Sequence, residues 1–423
     1  SLLLMVVWAT NIAAGDLRLI NANIVDPRTG EIRAGELWIQ DGIIVDADEK
    51  PELDGEVLNL EGKWVIPGLN ELHTHAYGNM GPGGVFDSPG TEVVAKRLLY
   101  AGVTGFLDLF GDEETLFALR ERQRSGEFVG ATIFASLSCL TATEGHCTEY
   151  GVETRVMDSP EDARKVVSDL ARKNPDVAKI VYAPSGRMPS IDKATLNAAV
   201  ATATQNGIKT VIHIQTWDGV RDAVDAGASA ITHIPEDAIP EGFASLLAES
   251  DVITIPTLAV ETDLGDYLFD PAVLDNPMAQ RMTTPEIVSA YRTEEIQQRF
   301  SARRESMSEN SVIKLSSVKA WADAGVTILA GSDAGNWGTI QGYSVHRELI
   351  KMVQAGLTPW QALASSTTLA GDFLGRSFGV QPGDEANLVV LDDSPIADIS
   401  NTQKIDRVIY QGEIIDREAL MAK

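Results

Sequence analysis

The chain has 423 residues, 34 Lys plus Arg against 61 Asp plus Glu, a formal net charge of −27, and 44% hydrophobic with 22% charged residues. This is globular composition, which excludes disorder and low-complexity structure, and so acidic a chain repels nucleic-acid backbones and anionic membranes. Its length fits one large α/β barrel with an appendage or about two to four ordinary domains, and two cysteines are too few for a disulfide scaffold or a cysteine zinc finger.

Residues 1–15 (SLLLMVVWATNIAAG) form an apolar run ending in small residues, too short to span a bilayer. The run reads as the remnant of a secretory signal peptide, which implies an exported or periplasmic protein. It lacks the positively charged start of such a peptide, and a first strand in a cytoplasmic protein is the alternative. Export would permit oxidation of Cys139 and Cys147, which are close in sequence; two free buried thiols is the other reading. From Asp16 to Ile66 short apolar runs alternate with turn signals, and the same texture returns in GDEANLVVL and RVIYQGEII near the end. Neither stretch can bury a core alone. The two ends are therefore expected to pair into one small β-sandwich, residues 16–66 plus 380–423, flanking a catalytic unit over residues 67–379.

In that unit eight apolar strands are expected: Leu69–His75, Val103–Phe110, Ala131–Leu137, Val177–Ala183, Lys209–Ile214, Ala230–His233, Val252–Thr257 and Thr327–Ser332. Amphipathic helices such as Thr91–Ala101, Ser159–Lys173, Lys193–Asn206 and Val220–Ala226 lie between most of them. Strict β-α alternation implies parallel strands and a closed (β/α)8 TIM barrel. The rival, an open doubly wound sheet, lacks its glycine fingerprint after the first strand. Residues 258–326 are an insertion that either covers the barrel mouth as a lid or adds outer helices.

His73 and His75 end the first barrel strand. Alternate strand residues share a face, so both imidazoles project into the mouth where barrel enzymes work. His213, His233 and Asp333 end later strands, so four of the six histidines fall at strand ends. Joint ligation of a divalent metal such as zinc explains that coincidence better than four separate structural roles. Lys179 interrupts the fourth strand. It is either salt-bridged or outward-facing, or carbamylated by carbon dioxide into an anion able to bridge two metals. His146 lies in a polar loop after the third strand, facing substrate or merely exposed. Tyr182 and Arg187 are placed to receive a substrate carboxylate, although Tyr182 also suits the barrel wall. His346 sits on an amphipathic helix that explains it as packing.

VIPGLNELHTH, AKIVYA, VIHI, ITHI and GSDAG, with the tail HRELIKMVQAGLTPWQALASSTTLAGDFLG and GDEANLVVLDDSP, resemble the amidohydrolase superfamily over residues 16–423, in its imidazolonepropionase-like and Xaa-Pro-dipeptidase-like branch. The resemblance implies a distorted barrel with a β-sandwich from both chain ends, and a binuclear centre. His73 and His75 match its first-strand pair, Lys179 its N6-carboxylysine, His213 and His233 its fifth- and sixth-strand ligands, and Asp333 its eighth-strand aspartate. Glu71 stands where an aspartate is common, at a position that is not a ligand. The implied reaction is hydrolysis of an amide or peptide C–N bond, in dipeptides or N-acyl amino acids, by a hydroxide bridging two divalent ions, with Asp333 shuttling the proton. A cyclic amidase, lactonase or phosphotriesterase, or an inactive binding relative, are the alternatives. The implied partner is a small molecule, with no nucleic acid and no membrane span, and a homo-oligomer is left open.

Overall fold

The computed structural model of the chain describes residues 16–47 and 55–422. The expected leader, residues 1–15, lies outside them. No helix among the described residues is long and apolar enough to cross a membrane.

The two chain ends meet in one eight-stranded sheet. Leu17–Asp26 pairs antiparallel with Glu31–Gln40 and parallel with both Glu56–Asn59 and Trp64–Pro67. A register shift between Leu19 and Ala22, with Asn21 left-handed at φ 56°, lets one strand serve two successive neighbours. Leu388–Leu391 then pairs antiparallel with Trp64–Pro67 and with Ile405–Tyr410. Pairing of the ends is as expected, and the hydrogen-bonded sheet folds back on itself, Ile44 N–H donating to the Asp384 carbonyl and Ala386 N–H to the Gly42 carbonyl. Strand alternation divides its side chains between two cores. Ile24, Val65, Leu388 and Val390 join the sheet's own core, whereas Val25, Ile66, Val389 and Leu391 face the large core shared with the barrel helices.

The remainder is a barrel-type α/β fold. Leu69–Thr74, Val103–Asp108 and Thr132–Ala135 form one parallel group. Val177–Val181, Lys209–His213, Ala230–Thr232 and Ile253–Ile255 form a second. The short strand Cys139–Thr141 wedges beside the fourth barrel strand, with Cys139 opposite Lys179. The gap between the groups is crossed by Asp176 N–H donating to the Ala135 carbonyl at 3.0 Å. The expected eighth strand, Thr327–Ser332, is not a regular strand. It closes the barrel through single bonds: Leu329 N–H to Thr254 O and Leu72 N–H to Ala330 O, both 2.9 Å.

Helices Thr91–Tyr100, Glu113–Arg124, Pro160–Ala171, Lys193–Gln205 and Trp217–Asp225 cover the outside. Asp112, Ser159, Asp192 and Thr216 cap four of them by accepting a backbone N–H two or three residues into the helix. The insertion packs as helices Leu258–Phe269, Pro277–Met282, Pro285–Tyr291, Glu294–Ser301 and Arg304–Ala324 around a core including Tyr267, Met282, Tyr291 and Phe300. Buried Glu348 accepts the N–H groups of Leu258 and Ala259, at 2.9 and 2.6 Å, and so holds the first of these helices at its N-terminus. The insertion is thus packed helical structure, and Val260 and Leu264 on its first helix border the barrel mouth.

Candidate metal centre

The barrel interior opens at the carboxyl ends of the strands into a cavity of about 430 Å3. Strand alternation decides what reaches it. On the fourth strand Val177 packs in the barrel interior while Ala178 and Ile180 face the helices. Lys179 therefore points inward and Tyr182 outward. Lys179 is buried at 3% exposure, and its Nζ lies 3.3 Å from His73 Nε2. Burial lowers its pKa from the ordinary lysine value.

His213 is two residues beyond inward-facing Val211 and reaches the cavity by the same rule. His233 is three beyond inward-facing Ala230 and would face outward on a regular strand. A left-handed φ of 74° turns it back, and its N–H is held by the Ile255 carbonyl at 3.0 Å. Asp333 is also left-handed, at φ 56°, with its N–H on the His73 carbonyl at 2.7 Å. The glycines around it are sterically required. A Cβ at Gly331 would sit 2.6 Å from Ile255 Cγ2 and 2.8 Å from His73 Cβ, and one at Gly335 would sit 2.8 Å from the His75 carbonyl.

His73, His75, Lys179, His213, His233 and Asp333 all line the cavity. His73, His75 and Asp333 each offer a ligand atom within 4.8 Å of the other two. The His73 and His233 ring centroids are 5.1 Å apart and those of His213 and His233 4.5 Å. Burial pushes His73, His213 and His233 well below the ordinary histidine pKa, with Lys179 adding to the effect, so these rings are neutral near pH 7.

The tautomer of His73 is held from behind. The Thr232 hydroxyl donates to the Ile255 carbonyl at 3.3 Å and therefore accepts from His73 Nδ1, 2.6 Å away. Thr257 Oγ1 lies 3.0 Å from His233 Nδ1, which is also 4.0 Å from Asp333 Oδ2. With its proton on Nδ1, His73 turns the lone pair of Nε2 toward Asp333 Oδ1, at 3.2 Å. Asp333 Oδ1 is also 2.9 Å from His75 Nε2, yet it is buried without a hydrogen bond, as is His75 Nδ1. Lone pairs converging on a buried carboxylate oxygen make an arrangement that a cation satisfies. The donor set, neutral imidazoles with one carboxylate, suits a borderline divalent metal.

The remaining expected residues divide. His146 lines the cavity, its ring 5.0 Å from that of His213, with Nδ1 2.7 Å from Glu149 Oε1. Tyr182 does not reach it: its hydroxyl donates to Asp222 at 2.7 Å on the outer wall, because an odd spacing from Lys179 puts it on the opposite face. Arg187 is exposed in the following loop and does not line the cavity either. Cys139 and Cys147 are both buried, with their sulfurs in contact and Cys147 on the cavity wall. His346 is buried away from the cavity, Nδ1 3.0 Å from Thr402 Oγ1 and Nε2 2.9 Å from the Ala101 carbonyl.

Sequence reasoning passed over several contributors. Thr232, adjacent to His233 in AITHI, was visible as a hydroxyl at a strand end. Glu71 braces the first strand to the eighth by accepting from His73 N–H, Ser332 N–H and Ser332 Oγ at 3.1, 2.7 and 2.5 Å. Burial pushes its pKa up to about 7, and it stays outside the cavity lining, as expected of a residue that is not a ligand. Phe110, Tyr150 and Trp337, from distant segments, supply aromatic walls that no motif announced.

A parallel α/β barrel with imidazoles and a carboxylate gathered at its carboxyl-terminal mouth defines a class of enzymes that work at that rim. The chain belongs to the amidohydrolase family, whose model matches residues 64–415, and membership makes it a hydrolase acting on carbon–nitrogen bonds. Ochratoxinase of Aspergillus niger is 23% identical across 93% of this chain and 84% of its own length. Among solved structures, a Xaa-Pro dipeptidase with bound methionine superposes with a TM-score of 0.75 at 20% identity, covering 95% of this chain and all of the other. A putative prolidase from Bifidobacterium longum gives 0.73 at 23% identity, covering 96% and 98%. At these identities the two structures speak for the fold.

Proposed function

We propose that the chain hydrolyses an amide-type C–N bond in small molecules, dipeptides and N-acyl amino acids among them, at a centre of two divalent ions, zinc first among the candidates. The observation that carries this reading is the buried Asp333 Oδ1, without a hydrogen bond and 3.2 and 2.9 Å from the Nε2 atoms of His73 and His75. His73, His75, His213, His233, Asp333 and Lys179 would hold the ions. The chemistry such ions would supply there is an acidified water near neutral pH and a Lewis acid for the scissile carbonyl. Thr232, by accepting from Nδ1, keeps Nε2 of His73 unprotonated. Asp333, with Oδ1 turned toward His73 and His75, leaves Oδ2 to take the proton of the attacking water and return it to the leaving nitrogen. Phe110, Leu264 and Trp337 keep bulk water from the reacting carbonyl.

In the same reading the Lys179 amine, in its unprotonated form, would add carbon dioxide, forming one N–C bond and releasing one proton, to become N6-carboxylysine. Supporting it, this buried amine has an imidazole nitrogen rather than a carboxylate at hydrogen-bond distance. The names of the similar proteins, a dipeptidase and an ochratoxinase, agree with C–N hydrolysis of small substrates.

The test is a hydrolysis screen of dipeptides, N-acyl amino acids and uncharged amides with zinc or manganese supplied, alongside metal analysis. Turnover with about two ions per subunit is expected. A purified chain with less than one ion per subunit and no turnover would instead be an inactive binding relative. Lys179→Ala should lower metal content and activity, with partial rescue by short carboxylic acids. Unchanged metal content in that variant removes the carboxylysine.

A further inference from the structure

His146 and Tyr150 line one wall of the cavity, and Glu149, next to Tyr150 in the turn Thr148–Tyr150, pairs with His146 from outside the lining. The Phe110 ring lies 6.1 Å from that of His75 and 5.9 Å from that of Tyr150, and Tyr150 lies 5.9 Å from His146. Aromatic faces thus run along one side of the mouth from His75 to the His146–His213 pair. Glu149 Oε1 holds His146 Nδ1 at 2.7 Å, so the imidazole best placed to receive an anion is already engaged by a carboxylate. A substrate carboxylate docked on His146 would sit beside Glu149, like charge against like. The Glu149 side chain is 35% exposed, so solvent screens that repulsion to a modest discrimination rather than exclusion.

We propose that this turn selects substrates whose group on that side is uncharged and aromatic, and that Glu149 is the residue that sets the preference against a carboxylate there. This rests on the hydrolytic reading of the site and ranks the substrates within it: uncharged aromatic amides above N-acyl amino acids. Stacking on Phe110 and Tyr150 supplies the attraction, and Glu149 supplies the repulsive element that specificity requires.

The experiment compares N-benzoyl-phenylalaninamide with N-benzoyl-phenylalanine, a pair differing only in carboxamide against carboxylate, by benzoate release from the metal-loaded protein. The wild type should favour the carboxamide in kcat/KM by about tenfold. Glu149→Gln should narrow that ratio to about twofold by raising kcat/KM for the acid, leaving the carboxamide within about twofold of wild type. The net charge of −27 also repels anions, but it acts on both proteins nearly equally, so the change between them isolates the local contribution. A wild-type preference for the acid, or an unchanged ratio in Glu149→Gln, overturns the proposal. If neither compound is cleaved, the hydrolytic reading loses its support. Calorimetric Kd values for the same pair on the same proteins then decide the Glu149 question by the same ratios.

Discussion

The chain buries two kinds of histidine, and they differ in what becomes of the second ring nitrogen. His346, between the helix Tyr343–Gln354 and its neighbours, has both nitrogens at hydrogen-bond distance from protein oxygens. His73 is equally buried, but only Nδ1 has a neutral oxygen for a partner, while Nε2 faces the Asp333 carboxylate at 3.2 Å and the Lys179 amine at 3.3 Å. Burial lowers the pKa of both, so neither burial nor a depressed pKa separates a packing histidine from a ligand. A nitrogen turned toward a carboxylate and an amine across a cavity does.

Three measurements would break or sharpen that contrast. The largest effect belongs to Asp333→Asn, which keeps the shape and removes the proton carrier. It should lower kcat by about 10³-fold with an unchanged circular dichroism spectrum. Near-normal turnover would end the proton-shuttle assignment. Next is Thr232→Val, which frees His73 to adopt the other tautomer. Metal affinity, read by competition with a chromogenic chelator, should fall about 10- to 100-fold while the fold is retained. An unchanged affinity would mean that Thr232 does not orient the ring.

The smallest and most local effect concerns His346. Burial pushes its pKa down to about 4, against 6.5 ordinarily. The unfolded chain therefore takes up the proton first as pH falls. The stability His346 contributes is fully present above pH 6.5 and is lost on acidification toward pH 4, on the order of 3 kcal/mol. Urea titrations should show the gap between wild type and His346→Gln shrinking over that window, with metal content and kcat unaltered at pH 7. A change in metal content would place His346 in the wrong group.

Much of this was legible in the sequence because the barrel writes its period into the chain. Apolar runs between helical stretches located seven of the strands, and ligand-type residues at their ends located the mouth. The eighth segment, Thr327–Ser332, reads as a strand but makes only scattered bridges, Ile328 with Thr254 and single bonds from Leu329 to Thr254 and from Leu72 to Ala330. His233 was placed correctly although a strict period of two turns it outward; the left-handed backbone that reverses it has no signature in ITHI. Tyr182 takes the barrel-wall alternative, since its odd spacing from Lys179 puts it on the opposite face. The walls at Phe110, Tyr150 and Trp337 come from three separate segments and depend on closure of the whole barrel, which no local pattern records.

That closure has a consequence for how the site comes into being. The bond from Asp333 N–H to the His73 carbonyl joins the last of the proposed ligands to the first, and with the Leu72–Ala330 bond it seals the first strand to the final segment. Docking of the C-terminal part of the barrel and completion of the ligand set are thus one event. An ion that prefers the finished set pulls the equilibrium toward the sealed ring, acting as a clasp on a seam between sequence-distant segments. Such distant pairing is the slow part of assembling a fold of this kind, so metal supply during refolding would govern how firmly the ring stays shut once it has formed.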